Sequence, residues 1–170
     1  MQTTIKDQYD AALPGNLVVL PSFRGSAEVD SCRAGDAIAP GDAVKLGDGT
    51  DSTVLPMAAA DDAKLAYGVA VRSHSNFPLT PNITTGDGAY PVSKNSNIGI
   101  AVAGPIWVAV KAGETPKKGD LAAPGARNAT TGYMEWVVLA SGQSKFRFDS
   151  TVKQGGVAQI RVESGALLGE

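Results

Sequence analysis

The sequence predicts an all-β protein, a β-sandwich or jelly-roll-like barrel carrying an extended N-terminal arm. Three observations carry this. Short apolar runs recur along the chain, most are bounded by Gly, Pro, Asn or Asp, and helical patterning is nearly absent. The 170 residues include 20 Gly and 10 Pro without a Gly-X-Y period, so these residues punctuate turns and do not build a collagen-like rod. A chain of this length buries roughly 70% of its unfolded surface and needs no metal or disulfide staple.

Eleven strands are expected, at 16–20, 27–32, 43–46, 65–72, 89–93, 98–102, 106–111, 120–123, 134–139, 145–148 and 158–162. In the last, Ala158, Ile160 and Val162 alternate with Gln159, Arg161 and Glu163, a half-buried pattern. Phe146 and Phe148 share one face of their strand, with Lys145 and Arg147 on the other. Ile106-Trp107-Val108-Ala109-Val110 is apolar on both faces, which suits a central strand or one covered by a partner subunit. The best helical window, Met57 to Leu65, sits between Pro56 and Tyr67-Gly68 and is long enough for one or two turns at most. Residues 1–15 are polar and end in the Pro14-Gly15 turn; they are expected to form an arm, with residues 16–170 forming the body.

One internal similarity stands out. Ala34-Gly35-Asp36 leads after four residues to Gly41-Asp42, and Ala112-Gly113-Glu114 leads after four to Gly119-Asp120. Each unit follows one strand and precedes another, as expected of two similar turns at equivalent corners of a fold. Two copies are too few for a solenoid.

Composition excludes several classes of function. The net charge of −2 and scattered basic residues, with Lys117-Lys118 the densest pair, do not make the basic stripe of a nucleic-acid binder. There is no apolar run of about 18 residues for a membrane span. Residues 1–10 lack the apolar core of a signal peptide, so the chain is expected to be made in the cytoplasm. Cys32, the single cysteine, reads as a buried inert thiol.

The search for chemistry yields no catalytic, cofactor-binding or metal-ligating set. His74, the one histidine, lies in a polar loop and reads as a surface residue. Ser150-Thr151-Val152-Lys153 matches Ser-x-x-Lys, but it lies between strands and not at a helix start. Gly47-Asp48-Gly49-Thr50-Asp51 and Gly86-Asp87-Gly88 lack the spacing of a calcium loop and read as hairpin turns. Asn82-Ile83-Thr84 and Asn128-Ala129-Thr130 fit the glycosylation pattern but carry no weight without a secretory signal. Trp107 and Trp136 read as core, while Tyr133 and Trp136 are the aromatics that a carbohydrate-binding face would use.

Three stretches carry a resemblance: Cys32 to Val44 with its Gly41-Asp42 turn, Ala66-Tyr67-Gly68-Val69-Ala70-Val71-Arg72, and Gly104-Pro105-Ile106-Trp107-Val108-Ala109-Val110-Lys111-Ala112-Gly113 leading into Lys118-Gly119-Asp120. In these the chain resembles the structural cement, or head-decoration, proteins of tailed bacteriophages. The resemblance implies a barrel or jelly-roll body with no enzymatic activity. It implies a place on the outer surface of the capsid, bridging subunits of the major capsid protein as a homodimer or homotrimer. It implies no cofactor, nucleic acid or membrane. The alternative is a carbohydrate-binding or tail-associated adhesin module, which an exposed aromatic row would favour.

Overall fold

The computed structural model describes residues 12–18, 27–47, 52–59, 63–72 and 91–163. They hold nine strands: β1 (Glu28–Ala34), β2 (Ala43–Leu46), β3 (Thr53–Pro56), β4 (Gly68–Ala70), β5 (Asn97–Val110), β6 (Leu121–Arg127), β7 (Met134–Val138), β8 (Phe146–Phe148) and β9 (Val157–Val162). Among the described residues the helical window contributes a single 3-10 turn, Ala63–Leu65. The protein is all-β, as its turn-rich, weakly helical sequence predicts.

The strands close into two five-stranded rings that share β5. In the first, β1 lies parallel to β3, β3 antiparallel to β2, β2 to β4, and β4 to the first half of β5, which returns to β1. The second half of β5 begins the same circuit: parallel to β7, then β6, β8 and β9, which returns to β5. Registers coincide as well as order. Val44 stands opposite Pro56 and Gly68, and its counterpart Ala122 stands opposite Val138 and Phe146. Ile100 stands opposite Asp30 and Ala70, as Ile160 stands opposite Ile106 and Phe148. The molecule is one small barrel repeated, with the last strand of the first serving as the first strand of the second.

Equivalent positions fill the two interiors with different side chains. The first barrel is packed by Cys32, Ala34, Val44, Val54, Ala70, Ile98 and Ile100. At matching positions the second has Val108, Val110, Ala122, Trp136, Phe148, Ala158 and Ile160, and Phe146 takes the place of Gly68. Ala43, Met57, Ala66, Val69 and Ala101 join the core cluster of the second barrel, so apolar burial also seals the two barrels together. The predicted alternation of Ala158, Ile160 and Val162 and the shared face of Phe146 and Phe148 are present, all five being buried.

Two expected strands, at 98–102 and 106–111, are one. Gly104-Pro105 reads as a turn, yet the chain runs through it. Gly104 has φ of +97°, and a Cβ there would lie 2.6 Å from the Cα of Ala27. Only glycine permits this crossing from one barrel to the next. β3 was not expected at all. Its four residues end in Pro56, which supplies no N–H to extend the ladder.

Candidate functional site

The two Gly-Asp units form the same turn. The Asp42 N–H donates to the Ala39 carbonyl and the Asp120 N–H to the Lys117 carbonyl, both at 3.1 Å. Gly41 and Gly119 take φ of +85° and +101°, as the third position of a type II turn demands. Each aspartate then folds back: Oδ2 of Asp42 accepts the Ala39 N–H and Oδ2 of Asp120 the Lys117 N–H, each at 2.8 Å.

Their surroundings differ. The Asp120 turn is at the surface, whereas Asp42 is fully buried at the junction between the barrels. Arg127 reaches from β6 and donates through Nη2 to Asp42 Oδ2 at 2.6 Å and through Nη1 to the Gly132 carbonyl at 2.6 Å. Oδ1 of Asp42 has no hydrogen-bond partner among the described residues. Burial pushes the Asp42 carboxyl above its ordinary range, with the Arg127 hydrogen bond and charge and the Ala39 amide pulling the other way. Beside it the Trp136 indole donates to the Gly41 carbonyl at 3.0 Å. One turn of the first barrel is thus gripped by a cation and an aromatic donor of the second.

The apolar strand around Trp107 is covered by its own chain. Residues 12–18 run along β5: Gly15 N–H donates to the Trp107 carbonyl, Trp107 N–H to the Asn16 carbonyl and Val18 N–H to the Pro105 carbonyl, at 2.7, 2.9 and 3.2 Å. Leu17 bridges Ile106, and Val18 packs on Trp107, which is 2% exposed. Arg72 fastens this segment, its N–H donating to the Gly15 carbonyl and Nε to the Pro14 carbonyl. The remainder of the expected arm, residues 1–11, lies outside the described residues.

A groove of about 690 Å³ opens between this segment and the end of the second barrel, next to Leu13, Tyr133 and Val157. Its lining includes one carboxylate, Glu135, which accepts a hydrogen bond from Asn128 Nδ2 at 2.7 Å. An acid pair for hydrolysis is not assembled there. Tyr133 and Trp136 are 5% and 0% exposed, so neither belongs to a surface aromatic row. Tyr133 instead accepts from Arg72 Nη2 at 2.5 Å.

The remaining candidates have structural partners. Ser150 Oγ donates to the Thr151 carbonyl at 3.0 Å and accepts the Gln159 N–H at 2.9 Å, capping the approach to β9 in a turn. Ser150→Ala is therefore expected to cost about 1 kcal/mol of stability, read from its urea midpoint. An unchanged midpoint would show that these two hydrogen bonds do not hold the approach to β9. Cys32 is buried and its thiol pushed up by burial and by Asp30, which keeps it protonated and inert. The Tyr67 hydroxyl donates to Asp30, and that bond, with burial, pushes its pKa up to about 12. Asn128 Oδ1 accepts from the Thr130 and Thr131 N–H groups, fixing the β6–β7 loop. His74, residues 82–84 and residues 86–88 lie outside the described residues, as does 48–51 of the first glycine-rich turn. Among the described residues no cluster of His, Cys, Asp or Glu could hold a metal ion, and no helix is long and apolar enough to cross a membrane.

Sequence reasoning found both Gly-Asp turns but not the Arg127 clamp, which joins residues 85 apart. It expected a strand at 16–20 but not that this stretch, through Leu17 and Val18, would cover the strand around Trp107.

The described residues thus form a paired all-β barrel built from a repeated unit and joined at its junction by Arg127 and the buried Asp42. A family model described as "Structural cement protein (E217 gp24/Pam3 gp6)" matches residues 1–163. The chain belongs to this family of phage structural cement proteins, whose role is to stabilise the capsid. Among solved structures, one chain of the capsid of Myoviridae phage XM1 shares the fold. Its TM-score is 0.60 at 16% identity, over 96% of this chain and 97% of that one. A search of curated proteins finds no match.

Proposed function

We propose that this protein binds the outer surface of an expanded phage capsid as a homo-oligomer. There it bridges neighbouring major capsid subunits without catalysing a reaction and without contacting nucleic acid or membrane. The observation that carries this reading is the family match over residues 1–163. The structure supports it with a double barrel in which the described groups Asp42 and Arg127, and Tyr67 and Asp30, pair within the fold. A ligand that binds the expanded lattice and not its precursor stabilises that lattice by mass action, and many weak sites on one shell add up. Each contact, or several together, needs on the order of 1,000 Å² of buried surface.

The test is co-sedimentation of purified protein with shells before and after expansion, followed by heat challenge. Binding is expected mainly to expanded shells, with a raised temperature of particle disruption. Equal binding to both shells, or no gain in particle stability, removes the reading.

A further inference from the structure

The repeat shows which face of each barrel is built to be covered. In the first barrel Ala43, Val69 and Ala101 lie side by side on the outside, with Val69 opposite both of the others. All three are fully buried, in the cluster that holds Ile106 and Trp136, because the second barrel sits on them. Their counterparts on the second barrel are Leu121, Arg147 and Arg161, with Arg147 opposite both of the others in the same register. None of these three is buried. The neighbouring turn follows the same rule. The Gly41 carbonyl accepts from Trp136 of the next barrel, whereas the Gly119 carbonyl accepts from Arg147 Nη1 of its own barrel at 2.6 Å. Small apolar residues on the covered face are thus exchanged for cations on the open one. Lys118 and Arg161 share Asp149, at 3.0 Å through Oδ1 and 3.1 Å through Oδ2, with side chains 68% and 30% exposed. Among the described residues no carboxylate pairs with Arg147 or Lys145, and Glu163 stands beside Lys145 at the end of the ladder. Like charges directly opposite in a ladder weaken it, so Arg147 facing Arg161 is a cost that the fold itself does not require.

We propose that the outer face of β8 and β9 is the surface through which this protein grips the shell, and that it receives an acidic segment of a capsid subunit. The inference rests on the shell binding proposed above and names its contact. Two guanidinium groups side by side offer planar forks that match carboxylates, and Lys118 adds a mobile charge at the rim. A second copy of the chain is a poorer occupant. Among the described residues its first barrel exposes Glu28, Asp30 and Asp36 interspersed with Arg33, Lys64 and Lys94, which makes no acidic face. A barrel seated as the second sits on the first would need a donor like Trp136, and the first barrel has Val54 there. A polar cap that only ends the repeat needs charges of either sign and gains nothing from two arginines opposed. Complementary charge across such a contact speeds encounter and fixes register, and salt weakens it.

Co-sedimentation of the full chain with expanded shells at low and high salt tests it, with sedimentation velocity on the free protein in parallel. The wild type is expected to bind shells, more weakly as salt rises, and to be displaced by poly-glutamate. Arg147→Gln with Arg161→Gln should weaken shell binding by at least about tenfold at low salt and flatten its salt dependence, with self-association and the far-ultraviolet spectrum unchanged. Arg147→Lys with Arg161→Lys keeps both charges and should recover most of the binding. If the double glutamine variant does not fold, Lys118→Gln with Lys145→Gln decides, since both side chains stand on the same face and Lys118 is largely exposed; a severalfold loss of binding is expected there. A folded glutamine variant that binds shells like the wild type overturns the proposal and leaves the cement reading standing. Self-association lost with shell binding kept assigns the face to a second copy and also overturns it. A wild type that binds no shells removes the cement reading and this contact with it.

Discussion

Trp136→Ala is expected to lower stability by about 3–5 kcal/mol, the range for deleting a buried tryptophan side chain. Trp136 is fully buried, meets Phe146 edge-on at 4.8 Å between ring centroids, and donates to Gly41 across the junction. The variant opens a cavity in the core cluster that Trp136 shares with Met57, Met134, Phe146 and Phe148. It also leaves the buried Gly41 carbonyl without its donor. Trp136→Phe separates the two losses. It keeps most of the ring contact and forfeits the hydrogen bond, for a cost of about 1–3 kcal/mol. Urea midpoints of the three proteins measure both. A Trp136→Ala cost below about 1 kcal/mol would mean that the junction is not where the barrels are held together.

Arg127→Ala is expected to cost about 1–3 kcal/mol at pH 7. Removing one partner of a fully buried pair costs more, but the Arg127 side chain is 40% exposed and solvent screens part of the interaction. Its pH dependence has an unusual sign. The Asp42 carboxyl is pushed up in the folded state, chiefly by burial. Between the ordinary carboxylate range and that raised value, the folded chain holds a proton that the unfolded chain has released. Stability then rises as pH falls through this window and declines as pH rises through it. Without the guanidinium the window widens. The melting temperatures of wild type and Arg127→Ala should therefore converge on acidification from pH 7 toward about pH 4. Asp42→Asn should rescue part of the loss at pH 7. A gap that stays constant with pH would show that the Asp42 charge is not what Arg127 compensates.

The sequence made the fold class legible because alternation and turn chemistry are local. Ala158, Ile160 and Val162 declare their inward face without reference to anything distant, and Phe146 and Phe148 do the same. Gly104-Pro105 misled for the same reason: a glycine that lets a strand cross between barrels looks locally like one that ends a strand. The repeat was visible only at its turns. Backbone hydrogen bonding makes Val54 equivalent to Trp136 and Gly68 to Phe146, and neither pair shows likeness as side chains. The Asp42–Arg127 clamp was beyond reach, since charge pairing at that separation is created by the closed rings and not by spacing. The apolar strand at Trp107 was expected to be central or covered by a partner subunit. Its cover turned out to be the chain's own segment around Leu17 and Val18.

Sharing β5 determines how the molecule can come apart. Each half of β5 closes its own ring, so the two rings are tied by the continuous backbone through Gly104 and by the contacts across the junction, Trp136 to Gly41 and Arg127 to Asp42. Opening one barrel thus strips those contacts from the other. The two cores are expected to melt in a single transition, with calorimetric and van't Hoff enthalpies equal. For a protein whose role is to stabilise a capsid, a single transition leaves no half-open species for thermal fluctuation to populate.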